Sequence, residues 1–315
     1  MADTPSISTS ATPPPPAPIP GPPPPPYSLP WQLRPVTVAN VIRSDTSTAF
    51  YKDGMGNAGN TTVTMLLGSY KVTPQFAPMI RLGFARNGAP GAMADGSSFV
   101  NPIIGGTYAQ KFGAFKLAGF LATTIPIGMG GGNSPDIGAA GAATAGIAAR
   151  SGMDNAMFAI NYMTGIAGVG FAYVDHKFTA QIEATVLQLF RVRGDAAVPR
   201  NLTATDSTRT NSTAGLHLGY FVIPQLSLGG EIRYQRWLST VTRENAMGVT
   251  SNIPDVNKDT VTFAVGPRAH FKLGNTMWIR PGISYSRGLD QPLSSATAAR
   301  VGNYNMVQVD VPVIF

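Results

Sequence analysis

From Val36 onward, polar and apolar residues alternate along the chain, which is the pattern of strands with one face in an apolar environment. The alternating stretches are separated in turn by short hairpin turns and by long polar or glycine-rich loops. We place twelve strands near 36–51, 60–72, 76–87, 99–112, 114–127, 157–174, 178–193, 210–223, 226–240, 259–273, 276–288 and 304–315.

The two sets of connections are of unequal length. Short turns lie at 72–76, 111–114, 174–178, 223–226 and 273–276, and long loops lie at 52–59, 88–98, 128–156, 194–210, 241–258 and 289–303. Most of these strands exceed the roughly 9 to 11 residues that cross a bilayer obliquely. The sequence therefore predicts an all-β fold, a transmembrane antiparallel β-barrel of about 12 strands over residues 36–315, with both chain ends on the side of the short turns.

Six prolines fall within the proposed strands, although proline cannot donate a hydrogen bond to a β-ladder. We expect some of them to mark bulges or strand ends. They are Pro78, Pro102, Pro126, Pro267, Pro281 and Pro312.

The final segment, 304–315, has an apolar residue at every odd position from Val307 onward, and the chain stops on phenylalanine. This segment resembles the C-terminal signature of Gram-negative outer-membrane β-barrel proteins, which the barrel-assembly machinery reads. The resemblance implies an assembly signal formed by Tyr304, Val309, Val311, Val313 and Phe315. It also implies a bacterial outer-membrane location, with outer-membrane lipid or lipopolysaccharide and the assembly machinery as partners.

The segment Ala122-Thr123-Thr124-Ile125-Pro126-Ile127-Gly128 ends a strand in a Pro-x-Gly corner and opens the longest loop. It resembles the corresponding segment of the outer-membrane proteins associated with meta-pathway phenol degradation. That resemblance implies passage of small hydrophobic substrates, whereas the corner could also do no more than turn the chain.

The composition agrees with a membrane barrel. Only 12% of the residues are charged, about half the roughly 25% that is usual for soluble domains. No apolar run approaches the roughly 18 residues of a spanning helix. The chain starts Met1-Ala2-Asp3 without the basic and apolar segments of a leader. We therefore expect that a signal peptide has been removed.

Residues 1–35 contain 14 of the 27 prolines and show no hydrophobic periodicity. We interpret them as a disordered periplasmic tail, which could also act as a spacer or bind a periplasmic partner. In loop 128–156, Ser134-Pro135-Asp136 predicts a helix near 136–150. This helix could fold into the lumen or cover the rim from outside.

Side chains alternate across each strand, so an outward apolar face assigns the other face to the lumen. Ten bases and three acids fall on the inward face. The bases are Lys71, Arg81, Lys111, Lys116, Arg191, Arg193, Arg233, Arg268, Lys272 and Arg280, and the acids are Glu183, Glu231 and Asp310. Because cationic walls concentrate anions, we expect an anion-preferring channel for passive diffusion of small solutes. The alternative is a plugged structural barrel whose tail and outer loops bind partners, with the inward charges paired to brace the wall.

Other classes of function have little support in the sequence. There is no cysteine, and the three histidines, at 176, 217 and 270, form no visible group with serine or carboxylate. We therefore expect no enzyme activity, cofactor or metal. The bases are dispersed at strand period without a basic run, so we expect no nucleic-acid partner. Eight aromatic residues near the short turns predict an interfacial girdle: Tyr70, Phe76, Phe112, Phe115, Phe178, Tyr220, Phe271 and Phe315.

Overall fold

The structure is a computed structural model that describes residues 27–52, 56–88, 95–194, 207–239, 242–244, 250–252, 259–274, 276–289 and 304–315. It contains a closed antiparallel barrel of twelve strands. The first nine are β1 Val41–Lys52, β2 Ala58–Ser69, β3 Phe76–Gly88, β4 in two pieces Gly96–Phe99 and Ile103–Phe112, β5 Phe115–Thr124, β6 Tyr162–Asp175, β7 Phe178–Arg191, β8 Thr208–Ile223 and β9 Leu226–Trp237. The last three are β10 Asp259–Ala269 with Phe271–Leu273, β11 Met277–Ile279 with Gly282–Gly288, and β12 Tyr304–Ile314.

The barrel closes where β1 pairs with β12, from Val41 opposite Ile314 to Phe50 opposite Asn305. The predicted all-β barrel is therefore confirmed. The chain connects strands alternately at two ends, which we call the turn end and the loop end. A short hairpin, Thr242–Glu244 paired with Thr250–Asn252, belongs to the connection between β9 and β10.

Proline explains three of the departures from the expected strand boundaries. Pro102 and Pro281 each lie in the gap between the two pieces of one strand, and Pro126 follows the end of β5. Pro78, Pro267 and Pro312 remain within strands. Three of the six prolines thus mark strand breaks or ends, as their missing N–H requires.

The wall alternates between an exposed apolar outer face and a buried inner face. In β10, Phe263 and Val265 are exposed while Thr262, Ala264 and Arg268 are buried. All eight predicted girdle aromatics are exposed on the outer surface near the turn end, with exposed fractions from 39% for Phe178 to 63% for Tyr70. The alternation that the sequence shows is therefore the division between the outer surface and the lumen.

A barrel of this size has room inside that the wall side chains alone do not fill. Residues 27–35 occupy the turn half of the lumen, and we call them the lumen segment. Trp31 and Leu33 in this segment are each only 1% exposed. The expected disordered tail ran to residue 35, so its boundary is corrected; the rest of that tail, residues 1–26, lies outside the described residues. Burial of aromatic and apolar side chains against the wall accounts for the difference.

The loop half of the lumen is filled by the longest loop. A helix runs over Ile137–Ala149, which confirms the helix expected near 136–150, and a shorter one runs over Asn155–Phe158. The Asp136 carboxylate caps the first helix by accepting a hydrogen bond from Ala139 N. We call this helix the loop helix. Its buried face, including Ala143, Ile147 and Ala149, packs inside the barrel. Of the two placements that the sequence left open, the structure has the inward one.

Within the described residues, no helix is both long and apolar enough to cross a membrane.

Candidate functional site

The candidate site is the lumen, whose two halves differ in chemistry. Around the loop helix, the wall is largely apolar, with Val63, Met65, Ala85, Leu187 and Leu189 in one buried cluster with Ile147 and Phe158 of the loop. Around the lumen segment, the buried wall side chains are largely polar or charged. They include Thr179, Gln181, Glu183, His217, Glu231, Arg268, Gln308 and Asp310.

A group of four charged residues, which we call the loop charge cluster, joins the loop to the wall. The Arg150 guanidinium lies 2.5 Å from an Asp45 carboxylate oxygen and 2.9 Å from an Asp154 oxygen. Arg81 on β3 pairs with the other oxygen of Asp154. All four side chains are buried. The cluster therefore satisfies charges that would otherwise be costly to remove from water.

The pKa values in this loop reflect the same pairing. Burial opposes ionisation of Asp154, but the guanidinium groups of Arg81 and Arg150 outweigh it and lower the pKa of Asp154 to about 2. Burial also opposes the charge on Arg150, and the carboxylates of Asp45 and Asp154 outweigh it and raise the Arg150 pKa above its ordinary value. Both groups are charged at neutral pH, and each depends on the other.

The lumen segment is bound mainly through its backbone. Trp31 N–H and Gln32 N–H donate to the Glu231 carboxylate, the second at 3.3 Å. Arg34 N–H donates to the Glu183 carboxylate at 2.5 Å. These two wall carboxylates thus hold three backbone amides of the segment through charge-assisted hydrogen bonds.

Wall side chains also donate to the carbonyls of the segment. The Arg43 guanidinium donates to Pro30 O at 3.3 Å and to Trp31 O. The Gln308 amide donates to Trp31 O at 3.2 Å, and the Gln181 amide donates to Arg34 O at 2.7 Å. Donors and acceptors of the backbone are therefore both recognised by side chains of the lumen.

Cation–π contacts fix the side chains of the segment. The Arg268 guanidinium carbon lies 4.3 Å from the centroid of the Trp31 ring, and Lys116 Nζ lies 4.7 Å from the centroid of the Tyr27 ring. The guanidinium of Arg34 forms an ion pair of 2.7 Å with Glu183. Trp31 is the largest buried side chain of the segment.

The wall charges beneath the segment also pair among themselves. Asp310 lies 2.6 Å from Arg43 and 2.8 Å from Arg268, and Glu231 lies 2.7 Å from Arg233. We call these five residues, together with Glu183, the wall charge cluster. Five of the six sequence-predicted buried lumen charges belong to it, namely Glu183, Glu231, Arg233, Arg268 and Asp310. The sixth, Arg81, belongs to the loop charge cluster.

The remaining predicted site residues lie nearer the ends of the barrel. Lys116, Arg191, Arg193 and Arg280 are half-buried, whereas Lys71, Lys111 and Lys272 are exposed at the turn end. The expectation that Lys272 lines the lumen is corrected. It lies in the three-residue piece Phe271–Leu273 at the rim, where both faces of the strand are exposed.

The residues proposed as an assembly signal do not share one face. Val309 is 47% exposed on the outer surface and Phe315 is 49% exposed, whereas Tyr304 is fully buried in the lumen, with its hydroxyl 3.2 Å from Thr262 Oγ1. Val311 and Val313 are half-buried near the turn end. Tyr304 therefore packs the lumen, and the proposed role of the segment in assembly stays a prediction.

Several lumen charges were missed for identifiable reasons. Arg43 and Asp45 face inward from β1, but Ser44, Thr46 and Thr48 on its outer face are polar, so the alternation there is weak. Arg34 lay in the expected tail, and Arg150 and Asp154 lay in a loop whose placement was open. Ser28 also lay in the expected tail, so its contact with a histidine of the wall was missed. Ser28 Oγ lies 3.2 Å from His217 Nε2. His217 Nδ1 in turn lies 3.5 Å from Glu231.

Open spaces remain beside these packed regions. A cleft of about 410 Å³ at the turn end lies between the residues that follow the lumen segment and the β4–β5 turn, and it includes Lys111 and Lys116. A pocket of about 60 Å³ lies beside the loop helix, against Tyr162, Leu189 and Trp237. Over the described ranges, no group of three metal-ligating side chains occurs.

Comparison with known proteins gives a structural match only. No protein-family model and no curated protein sequence matches this chain. Among solved structures, an outer membrane channel from Pseudomonas putida F1 superposes with a TM-score of 0.54 at 14% identity, covering 90% of this chain and 98% of the other. The KdgM porin (TM-score 0.45, 10% identity, 86% and 99% covered) and the NanC porin (0.47, 10%, 86% and 98%) also match. The chain therefore has the fold of Gram-negative outer-membrane β-barrels.

Proposed function

We propose that this chain is an outer-membrane channel for passive diffusion of small solutes and that it prefers anions. The observation that carries the proposal is a transmembrane barrel with an apolar outer surface and many charged and polar side chains inside. A polar interior is the arrangement found in bacterial barrels that carry a water-filled channel. The turn end then faces the periplasm, as short turns do in bacterial barrels.

The anion preference rests on the half-buried bases. The described buried charges nearly balance, with the bases Arg43, Arg81, Arg150, Arg209, Arg233 and Arg268 against the acids Asp45, Asp154, Glu183, Glu231 and Asp310. The excess lies in half-buried Lys116 and Arg280 toward the turn end and Arg191 and Arg193 toward the loop end. A positive potential at both ends attracts anions and repels cations.

One solute class follows from the resemblance of residues 122–128 to proteins associated with phenol degradation. The pocket beside the loop helix combines Phe158, Leu189 and Trp237 with Arg209, whose guanidinium lies 4.1 Å from the Trp237 ring centroid. Aromatic surface beside a guanidinium suits a small aromatic anion, such as benzoate. We therefore place benzoate beside chloride among the ions to test.

Reversal potentials in planar bilayers test the proposal. In a tenfold gradient of KCl, the protein should give discrete openings. The sign of the reversal potential should show that chloride is more permeant than potassium. The double variant Lys116→Gln with Arg280→Gln should lower the chloride-to-potassium permeability ratio several-fold. Lys52→Gln, at the exposed loop end of β1, is the matched control and should change the ratio little. A cation-preferring current would contradict the proposed selectivity.

The alternative function is a plugged barrel that works through its tail and outer loops. It is favoured by the filling of the lumen from both ends, by the lumen segment and by the loop helix. Under this alternative, the protein stays silent in bilayers after verified insertion. A pull-down with the full-length chain should then lose an envelope partner when residues 1–26 are deleted.

A further inference from the structure

The lumen segment makes no β-ladder contact, although it is enclosed by a β-barrel. Residues 27–40 are not part of any strand, and the wall closes without them through the pairing of β1 with β12. The backbone of residues 30–34 instead bonds to side chains of the wall, as with Trp31 N–H on Glu231 and Arg34 N–H on Glu183. Removal of the segment therefore breaks side-chain contacts and leaves the ladder of the barrel intact.

The wall beneath the segment is suited to water. Without the segment, Glu231 keeps Arg233, and Asp310 keeps both Arg43 and Arg268. Gln181 and Gln308 can bond to water in place of the backbone. A vacated turn half would therefore be a hydrated, charged passage that keeps the ion pairs of Glu231 and Asp310, while Glu183 would exchange Arg34 for water. Vacating the loop half, in contrast, would expose the apolar cluster around Ile147 and Phe158.

Both ends of the segment lie toward the turn end. Tyr27 packs with Ala109 and Val174, and its carbonyl accepts from Arg280 at 3.3 Å. Val36 and Val38, which follow the segment, line the open cleft at that end with Lys111 and Lys116. Tyr27 and the residues that follow the segment thus lie toward the same opening, and residues 27–35 can be withdrawn through it without crossing the loop half.

From these observations we infer that the turn half of the lumen is a binding site for a bent peptide segment, which residues 27–35 occupy as a reversible plug. Recognition rests on backbone donors and acceptors of residues 30–34, held by Glu183, Glu231, Arg43, Gln181 and Gln308, and on the buried side chain of Trp31. The inference rests on the proposed channel function, since a plug regulates only a barrel that conducts.

A disulfide lock tests the plug in the full-length chain, which contains no cysteine of its own. A Cβ placed on Gly215 would lie 2.9 Å from Leu33 Cγ, so Leu33→Cys with Gly215→Cys brings two thiols together. The oxidised variant should show at least tenfold fewer openings than the same protein after reduction. Each single-cysteine variant is the matched control and should not respond to reductant. Failure of the pair to oxidise would contradict the position of the segment.

A peptide added in trans tests the binding site itself. A variant that lacks residues 1–35 should conduct at least tenfold more than the intact chain, and a synthetic peptide of residues 27–35 should block it. The same peptide with Trp31→Ala should bind at least tenfold more weakly. Fluorescence anisotropy of a labelled peptide measures this binding without reference to conductance.

The outcomes separate the two proposals. Equal conductance of the locked, reduced and shortened proteins would overturn the plug and leave the channel standing. Silence of all three after verified insertion would overturn the channel, while anisotropy would still report whether the peptide binds. Absence of both peptide binding and peptide block would overturn the binding site. If the shortened chain fails to insert, the lock decides the matter in the intact chain.

Discussion

At the residue scale, the lumen is organised by carboxylates that each serve more than one partner. Asp310 joins Arg43 to Arg268, and Asp154 joins Arg81 to Arg150. Removing one member of such a group leaves another charge buried without its partner, which costs about 3–5 kcal/mol. Replacing a single charged residue of the lumen should therefore destabilise the protein by more than the contacts of that one side chain suggest.

Asp154 gives a pH-dependent prediction. Its folded pKa of about 2 lies below the ordinary value of 3.8, so its ionised form stabilises the docked loop above about pH 4 and loses that contribution as the pH falls toward 2. The contribution is about 2 kcal/mol by linkage. In detergent, Asp154→Asn should lower the thermal midpoint at pH 6, and the difference from the original protein should shrink toward pH 2.

Asp259→Asn is the control for this experiment. Asp259 pairs with Arg236 at 3.6 Å, with both side chains about half exposed, and exposed pairs contribute about 1 kcal/mol or less. The thermal midpoint of Asp259→Asn should match that of the original protein at every pH from 6 to 2. If the thermal midpoint of Asp154→Asn stayed below that of the original protein by the same amount from pH 6 to pH 2, ionisation of Asp154 would not be what docks the loop.

At the scale of elements, the loop helix depends on a close approach that only glycine permits. A Cβ on Gly146 would lie 2.5 Å from Phe158 Cε1 and 3.2 Å from Val63 Cγ2, whereas a Cβ on Gly141 would meet nothing within 4 Å. Both glycines lie inside the same helix. The helix is tightly packed at Gly146 and open at Gly141. Substitutions at the two positions therefore distinguish the effect of helix propensity from the effect of packing.

Alanine at the two positions should have opposite effects. Gly141→Ala gains helix propensity of about 0.5–1 kcal/mol and should raise the thermal midpoint. Gly146→Ala gains the same propensity but forces Phe158 or the helix to move, at about 1–3 kcal/mol, and should lower it. Limited proteolysis of loop 128–158 should follow the same order. If both variants proved equally stable, the loop helix would not be packed against Phe158 in solution.

Much of the wall follows from sequence, because alternation and turn length are local signals. The twelve strands, the inward placement of Arg233 and Arg268 and the helix near 136–150 were all predicted. The contents of the lumen were not, because Trp31 with Glu231 and Arg150 with Asp45 are pairs far apart in the chain that no local period marks. The proline-rich composition of residues 1–35 also obscured the few anchoring residues at its end.

At the scale of the whole molecule, the outer surface is adapted to an apolar surrounding. Residues such as Leu121, Val265 and Ile182 are exposed by 70%, 61% and 56%, which in water would constitute an extensive apolar patch. In a bilayer the same residues face lipid. The barrel is therefore stable only where hydrocarbon covers its outer surface.

A charge on this surface should be costly in lipid. Val265 lies near the middle of β10, so Val265→Arg should reduce the free energy of unfolding in bilayers by about 2–4 kcal/mol. Val265→Leu is the matched control and should change it by less than about 1.5 kcal/mol. Urea titration in thin phosphatidylcholine vesicles measures both. If Val265→Arg left the free energy of unfolding unchanged, this face of β10 would not contact lipid.

The placement of the lumen segment also constrains the order in which the protein is assembled. Its partners extend from Arg43 on β1 to Gln308 on β12, the last strand of the barrel. Residues made early must therefore wait until the final strand is present before their complete binding site exists. Because β12 is also the strand that closes the wall against β1, the binding site is complete only when the cylinder closes, and the segment docks at that point or later.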